Sequence, residues 1–307
     1  MRIDKDFVKG VGYYIGDGRM KAPRSLSTVN QNEKVIKFFL KWLKEYFKFK
    51  LKDIKIKIKT SDPNYNEEKL KGEFSKKLGI GKQFIHSVSL KEKSKPHHHT
   101  IIDIWANNAK AKREFDSLIS VVKEKCLENR GLAVEYVKGI MAAEGSPKYN
   151  LKSKSRSVHL KMKNEQEIKY LGKLLNEVIG IKSSILRVKN EEGMWLITIS
   201  GFYEMNKLQE LDIFEIESKK REKLRGITGS YKHAQVKKGD VDKFYMEKLE
   251  FFNKKLKKFL TAPELAKLIG RDRTRIINVL RSLEKKGLII GNRKKSLGRA
   301  FEFSIKD

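Results

Sequence analysis

FVKGVGYYIGDG at residues 7–18 and YVKGIMAAEG at residues 136–145 are two short helical stretches, each ending in an acid followed by glycine. Anchored on the acid, Gly12-Tyr13-Tyr14-Ile15-Gly16-Asp17-Gly18 aligns with Gly139-Ile140-Met141-Ala142-Ala143-Glu144-Gly145. Gly18 and Gly145 read as helix stops in the left-handed conformation that glycine adopts without penalty. Gly10, Gly12 and Gly16 lie inside the first helix, where each costs roughly 1 kcal/mol relative to alanine. Small residues permit close backbone approach, and Gly139, Ala142 and Ala143 offer a matching surface. The pattern predicts two helices crossing tightly in parallel. An acid at a helix C-terminus meets the negative end of the helix dipole, so Asp17 and Glu144 brought together would need positive compensation. Divalent cations shared by carboxylates and DNA phosphates provide it; the alternative is two surface helices that merely end in acids.

The stretches head an internal repeat. Residues 24–47 (RSLSTVNQNEKVIKFFLKWLKEYF) and 156–179 (RSVHLKMKNEQEIKYLGKLLNEVI) align without a gap. Each opens on Arg-Ser, alternates as a strand does, and passes through Asn-Glu into an amphipathic helix. Asn30 or Asn32 caps the first helix; Asn164 with Glu167 reads as a capping box for the second. The apolar stripes are Val35, Phe38, Phe39, Trp42, Leu43 and Tyr46, and Ile168, Leu171, Leu174, Leu175 and Val178. Residues 54–60 (IKIKIKT) and 184–189 (SILRVK), then 101–105 and 195–200, read as strands, with helices near 110–122 and 204–211. Each copy therefore reads helix, two strands, helix, two strands, helix. Lys55, Lys57, Lys59, Arg187 and Lys189, with Arg24 and Arg156 at the strand starts, suit a sheet laid along a DNA groove; an ordinary half-solvated sheet is the alternative.

Composition points the same way. Among 307 residues, 69 Lys+Arg face 38 Asp+Glu, a formal net charge of +31. A Lys- and Glu-rich thermophile-like surface explains many charges but not that imbalance; polyphosphate does. The single cysteine, Cys126, excludes an internal disulfide and a Cys-based zinc site. MRIDKDFVKG lacks a signal-peptide core and no apolar run spans a bilayer, so a soluble cytoplasmic monomer on double-stranded DNA is expected.

GVGYYIGDG and VKGIMAAEG resemble the two signature motifs of a single-chain LAGLIDADG homing endonuclease, over roughly residues 1–230. The resemblance implies an α+β fold of two αββαββα repeats forming a DNA-binding saddle. It also implies double-strand cleavage with Mg²⁺, or another divalent cation such as Mn²⁺, held by Asp17 and Glu144. The family often places polar or basic side chains at the strand–helix junctions, here Gln31 and Lys163, which join the acids as catalytic candidates. A lysine late in the last strand is also frequent; here Ala106-Asn107-Asn108 and Ser200-Gly201-Phe202 stand there, with no lysine until Lys110.

These readings place the first repeat at 1–125, the second at 126–218, a basic linker at 219–240 and a further domain at 241–307. That last part resembles a winged helix-turn-helix: a helix near 244–259, a capping-box start at Thr261 and Glu264, a helix capped by Asp272, and a hairpin over 291–304. Arg271, Arg273 and Arg275 would meet base edges, and Arg293, Lys294, Lys295 and Arg299 sit on the wing; protein contact is the alternative use. His97-His98-His99 reads as a solvated turn rather than a metal site. The leading function is a site-specific, intron-encoded-type DNA endonuclease. Its rivals are a nuclease-inactive LAGLIDADG-like transcription regulator and, behind it, an RNA-binding maturase.

Overall fold

Asp4 starts the first helix, α1 (Lys5–Asp17), by accepting the Phe7 amide at 2.9 Å. Asn129 starts α5 (Arg130–Glu144) by accepting the Leu132 amide at 3.1 Å. The structure, a computed structural model, describes residues 2–90, 100–150, 155–231, 238–269, 273–293 and 301–305. His97–His99, Arg271, Asp272, Lys294, Lys295 and Arg299 lie outside the described residues, as does the side chain of Arg293. The chain divides into two units, Met1–Ser230 and Tyr231–Asp307.

In the first unit α1 and α5 run parallel and touch backbone to backbone. A Cβ on Gly12 would lie 2.2 Å from the Tyr136 carbonyl oxygen, and one on Gly16 2.5 Å from Ala143 Cβ. Gly10 serves another purpose: a Cβ there would sit 2.0 Å from the Trp42 indole nitrogen, which donates to the Phe7 carbonyl at 3.2 Å. The expected tight crossing is therefore present. The expected left-handed helix stops are not. Gly18 (φ −76°) and Gly145 (φ −67°) are extended. Glycine is needed there for space, since a Cβ would fall 2.3 Å from the Tyr14 carbonyl oxygen or 2.6 Å from that of Met141.

The second repeat follows the expected order: α5, β5 (Gly145–Asn150), β6 (Ser155–Met162), α6 (Glu165–Lys173), β7 (Ser184–Arg187), β8 (Trp195–Ser200) and α7 (Phe202–Glu210). Its sheet runs β5-β6-β8-β7, all antiparallel. A π-helical turn, Leu174–Ile179, continues α6 and rotates its last residues, so Ile179 rather than Val178 enters the core. Asn164 caps α6 through the Glu167 amide at 3.1 Å. The Glu167 carboxylate does not close the expected capping box. It is buried, accepting from Tyr136 Oη at 2.8 Å and from Lys123 Nζ, and burial demands that stronger pairing.

The first repeat departs from the pattern. It has β1 (Ser25–Asn30), α2 (Glu33–Phe47), β2 (Ile54–Thr60), α3 (Glu67–Leu78), β3 (Ile85–Leu90), β4 (Ile101–Asn107) and α4 (Ala109–Glu128). Opposite β1, where the second repeat has a full strand, there is only the bridge Gly18↔Thr28. In exchange α3 and β3 are inserted after β2, with β3 parallel to β2, giving the order β1-β4-β2-β3. Asn32 is the α2 cap, accepting from the Lys34 amide at 2.9 Å. The core behind this sheet joins Phe7, Tyr14, Phe39, Trp42 and Phe115 as an aromatic cluster.

The linker expected at 219–240 is corrected. Ser218–Gly229 forms α8, and Leu224 and Ile227 are buried. Its run of charges concealed an amphipathic face, which belongs to the first unit.

The second unit contains α9 (Val241–Leu256), β9 (Leu260–Thr261), α10 (Ala262–Ile269), α11 (Arg273–Lys285), β10 (Ile289–Arg293) and β11 (Phe301–Ile305), with strand order β10-β11-β9. Tyr245, Leu249, Leu265, Ile276, Leu280 and Phe303 centre its core. Thr261 and Glu264 form a reciprocal box at α10: Thr261 N donates to Glu264 Oε2 at 2.8 Å, and Glu264 N to Thr261 Oγ1 at 3.4 Å. No helix among the described residues is long and apolar enough to cross a membrane.

Candidate functional site

Because α1 and α5 are parallel and staggered by less than a turn, their C-termini end side by side. A Cβ on Gly16 would lie 3.5 Å from Glu144 Cγ, so the two acids are neighbours, as expected. Their surroundings differ. Asp17 Oδ2 accepts from Asn30 Nδ2 at 2.6 Å, and the Asp17 carbonyl accepts from Thr28 Oγ1 at 3.2 Å. Thr28 in turn meets the buried Tyr13 hydroxyl at 2.9 Å. Burial raises the Asp17 pKa, while the Asn30 bond and the Lys220 charge oppose the rise. The Glu144 carboxylate accepts no hydrogen bond among the described residues; burial and the Asp17 charge push its pKa up to about 7.

Lys220, on the first turn of α8, completes the centre. Its Nζ donates to the carbonyls of Ala142 (2.6 Å) and Ala143 (2.9 Å), with Met141 at 3.4 Å. The Ala142 and Ala143 carbonyls are acceptors that the end of α5 leaves without a helical partner, whereas that of Met141 also accepts the Gly145 amide. Burial lowers the Lys220 pKa against the pull of Glu217, Asp17 and Glu144. Glu217 caps α8 by accepting the Lys220 amide at 2.9 Å. It also accepts from Asn32 Nδ2, the cap of α2. Two helix N-termini are thereby tied together above a cleft of about 400 Å³, lined by Asp17, Gln31, Asn32, Glu217, Lys219 and Lys220 among others.

The other candidates are dispersed. Gln31 borders that cleft, whereas Lys163 is an exposed residue between β6 and α6. Arg24, Lys55, Arg187 and Lys189 are exposed and Lys57 is half-buried. Lys59 pairs with Asp103 at 2.9 Å. Arg156 lies over the Tyr149 ring at 4.8 Å and donates from Nε to Ser230 Oγ and from Nη2 to its carbonyl, both at 2.8 Å; it is engaged within the unit. Arg273 and Arg275 are exposed at the start of α11. Sequence reasoning missed Lys220, which stands among five basic residues at 219–225, and Arg19, which follows the first motif. Only the burial of α8 distinguishes Lys220 from its neighbours.

The donor set fits a hard divalent cation. Among the described residues no group of three His, Cys, Asp or Glu side chains converges, so the protein offers two carboxylates. Water and phosphate oxygens would complete the shell, as Mg²⁺ prefers.

No family model matches the chain, and no curated protein matches it. Similar solved structures exist. The homing endonuclease I-DmoI in complex with DNA and Mn is 16% identical over 69% of this chain and 98% of its own, with a TM-score of 0.41. Full-length DUF199/WhiA from Thermatoga maritima is 12% identical over 93% of each chain, TM-score 0.43. The homing endonuclease I-WcaI bound to its DNA recognition sequence is 16% identical over 77% of this chain and 89% of its own, TM-score 0.43. Identity this low bears on fold alone, and TM-scores of 0.41 to 0.43 carry no functional argument; the α+β architecture stands on the topology described above.

Proposed function

We propose that this chain is a divalent-cation-dependent endonuclease acting at specific sites in double-stranded DNA. The observation that carries the reading is the abutment of Asp17 and Glu144 at the ends of two crossed helices, each heading a repeat with its own four-stranded sheet. Like charges at two negative helix ends are unfavourable and serve a purpose only where cations gather. A bound Mg²⁺ or Mn²⁺ would neutralise the phosphate and activate a water. Asp17, oriented by Asn30, and Glu144, once deprotonated, would hold it. Gln31 would orient water or phosphate on the first-repeat side, and exposed Lys163 would do so on the second. Lys55, Lys57, Arg187 and Lys189 would follow the backbone of the duplex, with Arg24 beside them. The second unit has the element order of a winged helix, and Arg273 and Arg275 would approach base edges from the start of α11.

A nuclease-inactive DNA-binding regulator is the second reading, favoured by Lys220. Its ammonium sits at the acid pair and supplies positive charge without a metal.

Incubating the full chain with a randomised duplex library and Mg²⁺ separates the two. Cleavage lost in Asp17→Asn and Glu144→Gln, with specific binding kept, is the expected result. Specific binding with no cut in the wild type, unaltered by either substitution, would leave the regulator.

A further inference from the structure

The sheet of the first repeat carries an acid where a phosphate-binding face should have none. On β4 the residues Ile102, Ile104 and Ala106 are buried in the core, so Asp103 and Trp105 project from the opposite face, as strand alternation requires. Directly across on β2 stand Lys57, opposite Asp103, and Lys55, opposite Trp105. Yet Asp103 is only 2% exposed. It is covered by two cations that share Oδ2: Lys59 Nζ at 2.9 Å and Arg19 Nη2 at 3.2 Å. The Arg19 guanidinium lies over the Trp105 ring, 4.2 Å from its centroid.

Binding phosphate needs charge, which the lysines supply without a fixed geometry. A buried carboxylate in that face weakens attraction for phosphate and is tolerated because it is paired. What it provides is orientation. A planar guanidinium clamped between an indole and a carboxylate cannot swing as a lysine does; with Arg19 Nη1 buried and without a partner, the Nε and Nη2 side is the edge left to match the O6 and N7 acceptors of guanine. We infer that Arg19 is a specificity-determining residue that reads a guanine in the major groove, with Asp103 and Trp105 as its positioning residues. The inference rests on the DNA-binding reading above.

Two features constrain it. Arg19 follows Asp17 by two residues, a chain span of at most roughly 7 Å, so the base read lies within about five base pairs of the reaction centre. The second repeat lacks the device. Aligned on Arg24 and Arg156, its strand partners at the corresponding positions are Leu196, opposite Lys161, and Thr198, opposite His159. The preference therefore belongs to one half of the target and has no symmetric counterpart.

The test uses the full chain with Ca²⁺ and a randomised duplex pool, followed by affinities for the selected site and its single-base variants at several salt concentrations. Wild type should prefer one G·C pair by about tenfold to a hundredfold. Arg19→Lys, which keeps the charge, should lose that preference alone and leave the salt dependence unchanged; Asp103→Asn should weaken the same position. Melting curves report whether each variant is folded, and Trp105→Phe provides a milder version. An unchanged preference in Arg19→Lys, or a uniform loss across all sequences, overturns the inference while leaving DNA binding intact. Failure of the wild type to bind any duplex overturns the DNA-binding reading itself.

Discussion

Gly12 and Gly139 meet where α1 crosses α5, and neither has room for a methyl group. A Cβ on Gly139 would lie 3.0 Å from the carbonyl carbon of Gly12 and 2.1 Å from the Lys9 carbonyl oxygen. Backbone is in contact with backbone, so no side-chain rotation relieves the clash. This contact sets the distance between the helices and brings Asp17 beside Glu144.

Gly12→Ala and Gly139→Ala should each destabilise the first unit by about 2 kcal/mol or more, the range of overpacking, despite the higher helix propensity of alanine. Thermal unfolding of the full chain measures it. An unchanged or raised melting temperature for either variant would show that the helices can separate without cost.

Without added cation, stability should fall as pH rises from about 4.5 to about 7. The folded Glu144 carboxyl, raised to about 7 by burial and by Asp17, keeps a proton that the unfolded chain has lost across that window, so raising the pH favours unfolding. With screening at this partly exposed site the drop is about 2 kcal/mol. Glu144→Gln should flatten it, and Ca²⁺ at pH 8 should restore what the wild type has lost. A pH-independent melting temperature between 4.5 and 7.5 would contradict the account.

Lys220→Met removes the ammonium from the α5 carbonyls and leaves two acids uncompensated. It should destabilise the cation-free protein by roughly 1–3 kcal/mol, the cost of unpaired buried acceptors. It should also tighten Ca²⁺ binding by calorimetry, since the competing positive charge is gone. Weaker Ca²⁺ binding in the variant would instead make Lys220 a partner of the cation.

In the second unit, Thr261→Ala should cost about 1 kcal/mol, typical of a lost helix cap, seen as faster amide exchange at the start of α10. Lys258 and the Thr261 bonds hold the Glu264 pKa down to about 2. Its contribution is therefore fully present above about 4.5 and is lost as pH falls from there toward about 2. Glu264→Gln should remove that acid sensitivity; equal exchange rates in wild type and variant at pH 5 would discount the box.

Much of this was legible in the sequence because the signals were local. The small residues of the two motifs predicted a close crossing, and the crossing needs them. The gapless match of 24–47 with 156–179 located β1 with α2 and β6 with α6. The insertion of α3 and β3 went unread because α3 presents only Phe74 and Leu78 to the core, too sparse a stripe to show a period. The α8 segment looked like linker for the related reason that lysine and arginine outnumber its buried Leu224 and Ile227.

The sequence alone determined the two repeats, the helix crossing and the neighbouring acids, since each rests on a motif that the chain carries twice, at 7–18 and 136–145. Tertiary structure decided what surrounds the acids and what the sheet presents. Lys220 reaches the end of α5 across 78 residues, and Arg19 reaches Asp103 across 84. A charge is placed by whatever the fold packs against it, and residues outside the repeated motifs carry no pattern in the chain to announce their meeting.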